Sequence, residues 1–82
     1  MSPLYIREFL NLPQNYAGAH VIVELDEDGE GTIILADCKR STQFEINGLS
    51  YPENTLHKLE VLHKALGRAL RHVKKAIGER DG

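Results

Sequence analysis

From Pro52 to Ile77 the chain reads as one amphipathic helix, interrupted in pattern at Gly67 alone, and this segment is about a third of an 82-residue sequence. Leu59, Leu62, Leu66, Leu70, Val73 and Ile77 recur at three- and four-residue spacing, so at about 100° per residue they form one stripe. His57, Lys64, Arg68, Arg71 and Lys75 run roughly opposite, with Lys74 beside them. A helix of that length spans about 39 Å, whereas an eight-residue strand spans about 27 Å. The helix is therefore expected to overhang any sheet it covers. Its apolar stripe continues past the overhang through Leu70, Val73 and Ile77.

The residues before the helix leave room for a small sheet. Ser2-Pro3 fits a helix start, and Leu4, Ile6, Phe9, Leu10 and Leu12 do not alternate cleanly. Residues 3–11 are accordingly expected as a short helix, with a first strand as the alternative. Leu12 to Gly18 reads as a loop from its turn residues. His20-Val21-Ile22-Val23-Glu24-Leu25 and Thr32-Ile33-Ile34-Leu35-Ala36 are β-branched runs joined by Asp26-Glu27-Asp28-Gly29-Glu30-Gly31, which has hairpin-turn chemistry. Strands are expected at 19–26 and 31–38, and a third at 42–47, ended by Asn47-Gly48. The helix is expected over 51–78, begun either by Ser50 with Glu53 as a capping box or by Asn54 as N-cap. Gly78 supplies its stop, and 79–82 a frayed tail. The expected fold is α+β in a single domain. It comprises a short N-terminal helix, a three-stranded antiparallel β-meander and a long C-terminal amphipathic helix packed on the sheet.

Charge divides along the same line. Residues 1–52 carry eight acids against three bases, a net of −5, and residues 53–82 carry seven bases against four acids, a net of +3. Such segregation suggests two binding surfaces of opposite sign. On the acidic side, Glu24, Asp26, Glu27, Asp28 and Glu30 put five carboxylates into seven residues at a hairpin tip, able to dock on a basic protein partner. On the basic side, Lys64, Arg68, Arg71, Lys74 and Lys75 could lie along a phosphate backbone. Each pattern also has a plain reading, a solvated turn and a solvated helix face.

Other chemistries find little support. The Asp26–Glu30 turn has glycine at its fourth position and strands on both sides, unlike an EF-hand calcium loop. His20, His57, His63 and His72 include no His-x-x-x-His pair, and Cys38 is the one cysteine, so no metal site is expected. Cys38 ends an apolar strand, where a buried inert thiol is the default. No nucleophile elbow, phosphate loop or Cys-x-x-Cys occurs, and no enzyme or cofactor is expected. No stretch approaches the apolar run of about 20 residues that a membrane span needs. No signal peptide opens the chain, and the cytoplasm is the default location.

The helix–three strands–helix order is shared with double-stranded-RNA-binding domains. Those domains carry basic residues where the last helix begins and a Gly-Pro-x-His-type segment in the first hairpin loop. Here that loop is acidic and Lys74-Lys75 lies at the helix end, so the similarity stops at the order of elements. The leading expectation is a small non-enzymatic protein–protein interaction module. Its sharpest form is a phage-type, anti-CRISPR-like inhibitor that imitates phosphates with its acidic hairpin. The alternatives are a nucleic-acid-binding regulator using the basic helix face, or a structural subunit of a larger assembly. Leu62, Leu66, Leu70, Val73 and Ile77 are expected to carry core packing or a homodimer contact, unless an N-terminal helix covers them within the chain.

Overall fold

The computed structural model describes residues 2–14, 18–37 and 39–81, the side chain of Asp81 excepted. It contains β1 (Leu4–Phe9), β2 (His20–Leu25), β3 (Glu30–Asp37), β4 (Arg40–Asn47) and α1 (Pro52–Asp81). The four strands form one antiparallel meander in the order β1-β2-β3-β4. The architecture is α+β, a four-stranded sheet followed by one long helix.

The N-terminal segment corrects the expectation of a short helix and a three-stranded sheet. Residues 4–9 are a strand, paired along their whole length with β2 from Leu4↔Leu25 to Phe9↔His20. Tyr5, Ile6 and Phe9 favour strands, and six residues are too few to hold a helix without tertiary support. The period of two was hidden because both faces of β1 carry apolar residues, Leu4 and Ile6 on one and Tyr5 and Phe9 on the other. Leu10 extends the ladder one step, its N–H donating to the Ala19 carbonyl at 2.8 Å.

Register sorts the sheet into two unlike faces. Leu4, Ile6, Val21, Val23, Leu25, Ile33, Leu35, Phe44 and Ile46 stand in cross-strand rows on one side. Row by row, the other side carries Tyr5–Glu24–Thr32–Glu45, Arg7–Ile22–Ile34–Gln43 and Phe9–His20–Ala36–Ser41. The first face is the apolar one, and Ile46 on it is 2% exposed. β4 opens at Arg40, paired with Asp37, two residues before the expected start at 42. Arg40 and Ser41 read as turn residues in isolation, yet polar residues are at home on an edge strand.

The Asp26–Gly29 turn is tightly built. The Asp26 N–H donates to the Glu30 carbonyl at 2.8 Å, and the Gly29 N–H to the Asp26 carbonyl at 3.0 Å. Gly29 sits at φ 73°, a left-handed conformation in which glycine costs least. The segment after β4 braces this turn from outside. Gly48 N–H reaches the Gly29 carbonyl at 2.9 Å, and Leu49 N–H the Asp28 carbonyl at 3.1 Å. So close an approach needs glycine, because a Cβ on Gly48 would fall inside contact distance of both carbonyl oxygens.

α1 begins at Pro52, which suits the first helical position because its missing N–H has no helical partner there. Ser50 is thus not the expected N-cap; its hydroxyl donates to the Glu30 carboxylate instead. The expected stop at Gly78 with a frayed tail also needs correction, since the helix runs on to Asp81. Glycine inside a helix costs only about 1 kcal/mol relative to alanine. A Lys75–Glu79 pair at 4.0 Å spans it, and Arg80 in the last turn suits the helix dipole. The chain divides into two compact units, Met1–Pro52 and Glu53–Gly82. That boundary coincides with the boundary between its acidic and basic parts.

Candidate functional site

The five hairpin carboxylates do not share one role. Asp26 Oδ1 accepts the backbone N–H of Asp28 at 2.8 Å and of Glu30 at 3.0 Å. Its side chain therefore builds the turn, as aspartate at the first turn position commonly does. Glu30 opens β3, is half-buried and accepts the Ser50 hydroxyl. Glu24 lies mid-strand on the polar face between Tyr5 and Thr32, exposed. Asp26, Glu27 and Asp28 are all exposed on the turn itself. A shallow depression lined by Tyr5, Glu24, Asp26, Glu30 and Thr32 lies at this end of the sheet. The compact five-carboxylate patch expected from sequence thus reduces to three carboxylates free of structural bonds.

The basic residues behave differently. Lys64, Arg68, Arg71, Lys74 and Lys75 are all exposed along α1. Lys75 reaches Glu79 at 4.0 Å with both side chains largely in solvent, a pair worth little. Among the described residues, Lys64, Arg68, Arg71 and Lys74 have no ion-pair partner. At 1.5 Å of rise per residue these four cations occupy about 15 Å of helix. Gly67 makes a notch between them. The depression there is lined by His63, Lys64, Gly67, Arg68 and Arg71, and the Arg71 guanidinium lies 3.4 Å from where a Gly67 Cβ would stand. The arrangement can offer several N–H donors and uncompensated positive charge to an anion.

The apolar stripe changes along the helix. Thr55 is buried and Leu59 and Leu62 are half-buried, whereas Leu66, Leu70, Val73 and Ile77 are 59%, 56%, 52% and 50% exposed.

Sequence reasoning missed two features. The first is the outer surface of β1, where Tyr5 (62% exposed) and Phe9 (71%) flank Arg7, and where the Phe9 ring meets His20 edge-on at 6.5 Å. Apolar residues on both faces of Leu4–Phe9 hid it from a period-2 count. The second is the brace from Gly48 and Leu49 to the hairpin, for which no local signal exists. His20 Nδ1 lies 2.7 Å from the Gly18 carbonyl, which holds its ring in place. The reading of Cys38 as a buried thiol lies outside the described residues. Among the described residues no three His, Cys, Asp or Glu side chains are grouped to hold a metal. Among the described residues no helix is long and apolar enough to cross a membrane. Neither a family model, nor a curated protein, nor a solved structure matches this chain.

Proposed function

We propose that this chain is a non-enzymatic binding protein whose working surface is the basic face of α1 and whose ligand is a nucleic-acid phosphate backbone. The observation that carries this is the set Lys64, Arg68, Arg71 and Lys74, exposed together and without carboxylate partners. Neutralised cations could not release counterions from a polyanion, and these four are not neutralised. The choice over the acidic hairpin follows from the turn. Asp26 and Glu30 already hold bonds that a docking partner would have to replace.

The test is fluorescence anisotropy with DNA and RNA oligonucleotides over a salt series. Contacts to four phosphates give a slope of log K against log salt of roughly −3 to −4. Arg68→Glu combined with Arg71→Glu is expected to weaken binding about 100-fold and flatten that slope. Glu27→Gln with Asp28→Asn is expected to leave affinity unchanged or slightly higher. Binding that ignores the helix reversal, or no binding at low salt, overturns the reading.

A second reading rests on the bracing of the hairpin. Hydrogen bonds from Gly48 and Leu49 fix the tip that displays Glu27 and Asp28, and a preorganised tip binds at lower entropic cost. In that reading Glu24, Glu27 and Asp28 dock on a basic protein, in the manner of a phage-type, anti-CRISPR-like inhibitor. Loss of partner capture on neutralising Glu27 and Asp28, with the helix reversal silent, would favour it.

A further inference from the structure

We infer that the notch at Gly67 on α1 is a seat for a single phosphate group, gripped by the Arg71 guanidinium together with Lys64 and His63. This rests on the phosphate-binding reading above and names the point on the basic face where one phosphate is held in place. Between Glu60 and Glu79 the helix carries bases and no acid: Lys64, Arg68, Arg71, Lys74 and Lys75. Spread charge of that kind attracts a polyanion without fixing its position. A fixed contact needs donors that converge, and they converge at Gly67.

Helical spacing produces the convergence, because residues three and four apart are neighbours on a helix surface. His63 and Lys64 stand one turn before Gly67 and Arg71 one turn after it, and these residues with Arg68 line the depression. Arg71 Nη1 lies 3.4 Å from where a Gly67 Cβ would stand, so the guanidinium lies back along the helix over bare backbone. That planar fork offers paired N–H donors matched to the oxygens of a phosphate. Lys64 supplies a movable point charge from the other side, and the His63 ring carries an N–H in either tautomer. Lys64 and Arg71 are about 10.5 Å apart along the axis, a gap that two long side chains can close over residue 67.

The glycine itself argues that the space is used. Glycine is the least favourable helix residue after proline, and Gly67 lies in the middle of a 30-residue helix. No packing requires it there. The nearest atom to an added Cβ is the far end of the Arg71 side chain, whereas a Cβ on Gly31 or Gly48 would meet backbone well inside contact distance. Gly78 is similarly open but lies in the last turn, where helices fray and glycine is tolerated. Folds depart from local propensity chiefly at functional sites, and here the departure falls among the side chains best able to hold an anion. A side chain at 67 would occupy the ground between Lys64 and Arg71.

Fluorescence anisotropy of the full chain tests this, with 3′-labelled oligonucleotides carrying either a 5′-phosphate or a 5′-hydroxyl. Gly67→Leu fills the notch with a good helix former and keeps every charge. It is expected to weaken binding about fivefold or more and to flatten the salt slope by about one phosphate contact, with the helical circular dichroism and thermal stability undiminished. Arg71→Lys keeps the charge and loses the fork. It is expected to weaken binding about threefold or more with the slope unchanged, and it decides the matter should Gly67→Leu unfold. Tighter binding of the 5′-phosphate strand that Gly67→Leu abolishes assigns the seat to a terminal phosphate. Equal weakening of both strands assigns it to a backbone phosphate. Oligonucleotide binding that every folded variant leaves at the wild-type level overturns the seat and spares the basic-face reading. A wild-type chain that binds neither strand at low salt overturns both.

Discussion

In the Met1–Pro52 unit, polar and glycine residues are committed to construction. Asp26 holds two N–H groups of its own turn, Glu30 takes the Ser50 hydroxyl, and Gly48 lets one turn close on another. In the Glu53–Gly82 unit the corresponding residues are uncommitted. Lys64, Arg68, Arg71 and Lys74 stand in solvent, and Gly67 leaves a notch between them. The contrast teaches that charge density in sequence is a poor guide to a binding surface. The denser cluster is the acidic one, five carboxylates in seven residues, yet two of the five, Asp26 and Glu30, are drawn into hydrogen bonds that build the fold. A hairpin turn consumes acceptors because its N–H groups have no ladder partners. A helix satisfies its own backbone and leaves long side chains free.

Substitutions can break that contrast. The largest effect is expected at Gly31, opposite Leu25 and Ile46, where a Cβ would overlap the Glu24 carbonyl oxygen. Gly31→Val should destabilise the sheet by about 3 kcal/mol or more, measured by denaturant unfolding followed in the β signal. A cost below about 1 kcal/mol would show that the hairpin is not as closely built as described. Asp26→Ala comes next. Loss of two side-chain bonds should cost about 1–2 kcal/mol, while Glu27→Ala on the same turn should stay within about 0.5 kcal/mol. Equal costs at the two positions would remove the distinction between building and displayed carboxylates. The smallest effect is on the helix. Gly67→Ala should stabilise it by up to about 1 kcal/mol, since the nearest atom is a movable guanidinium at 3.4 Å. Thermal unfolding followed at the helical band reads this directly, and a destabilised variant would mean that the notch is structural.

How far the fold could be read from sequence follows from where each signal lies. The β2–β3 hairpin was legible because its turn residues and β-branched flanks sit next to one another. The long helix was legible because its period repeats over seven turns. β1 was misread because apolar residues on both faces erased the alternation, and only pairing with β2 decides between helix and strand there. The N-cap was misassigned because Ser50 is bonded to Glu30, twenty positions away, which no local pattern reveals. The site divides the same way. The basic face was named residue by residue, since helical spacing alone places it. The acidic cluster was overread, although Asp26 two residues before an N–H of its own turn is a known turn-building pattern.

The most direct test of the central claim is lysine-reactive footprinting of the full chain with and without a bound oligonucleotide, read by mass spectrometry. Lys64, Lys74 and Lys75 lie on or beside the basic face, Lys58 lies off it around the helix, and Lys39 belongs to the sheet unit. Protection of Lys64, Lys74 and Lys75, with Lys39 and Lys58 still reactive, is the predicted result. Protection of Lys39, or uniform reactivity at all five in the presence of bound ligand, would contradict the assignment of binding to the basic face of α1.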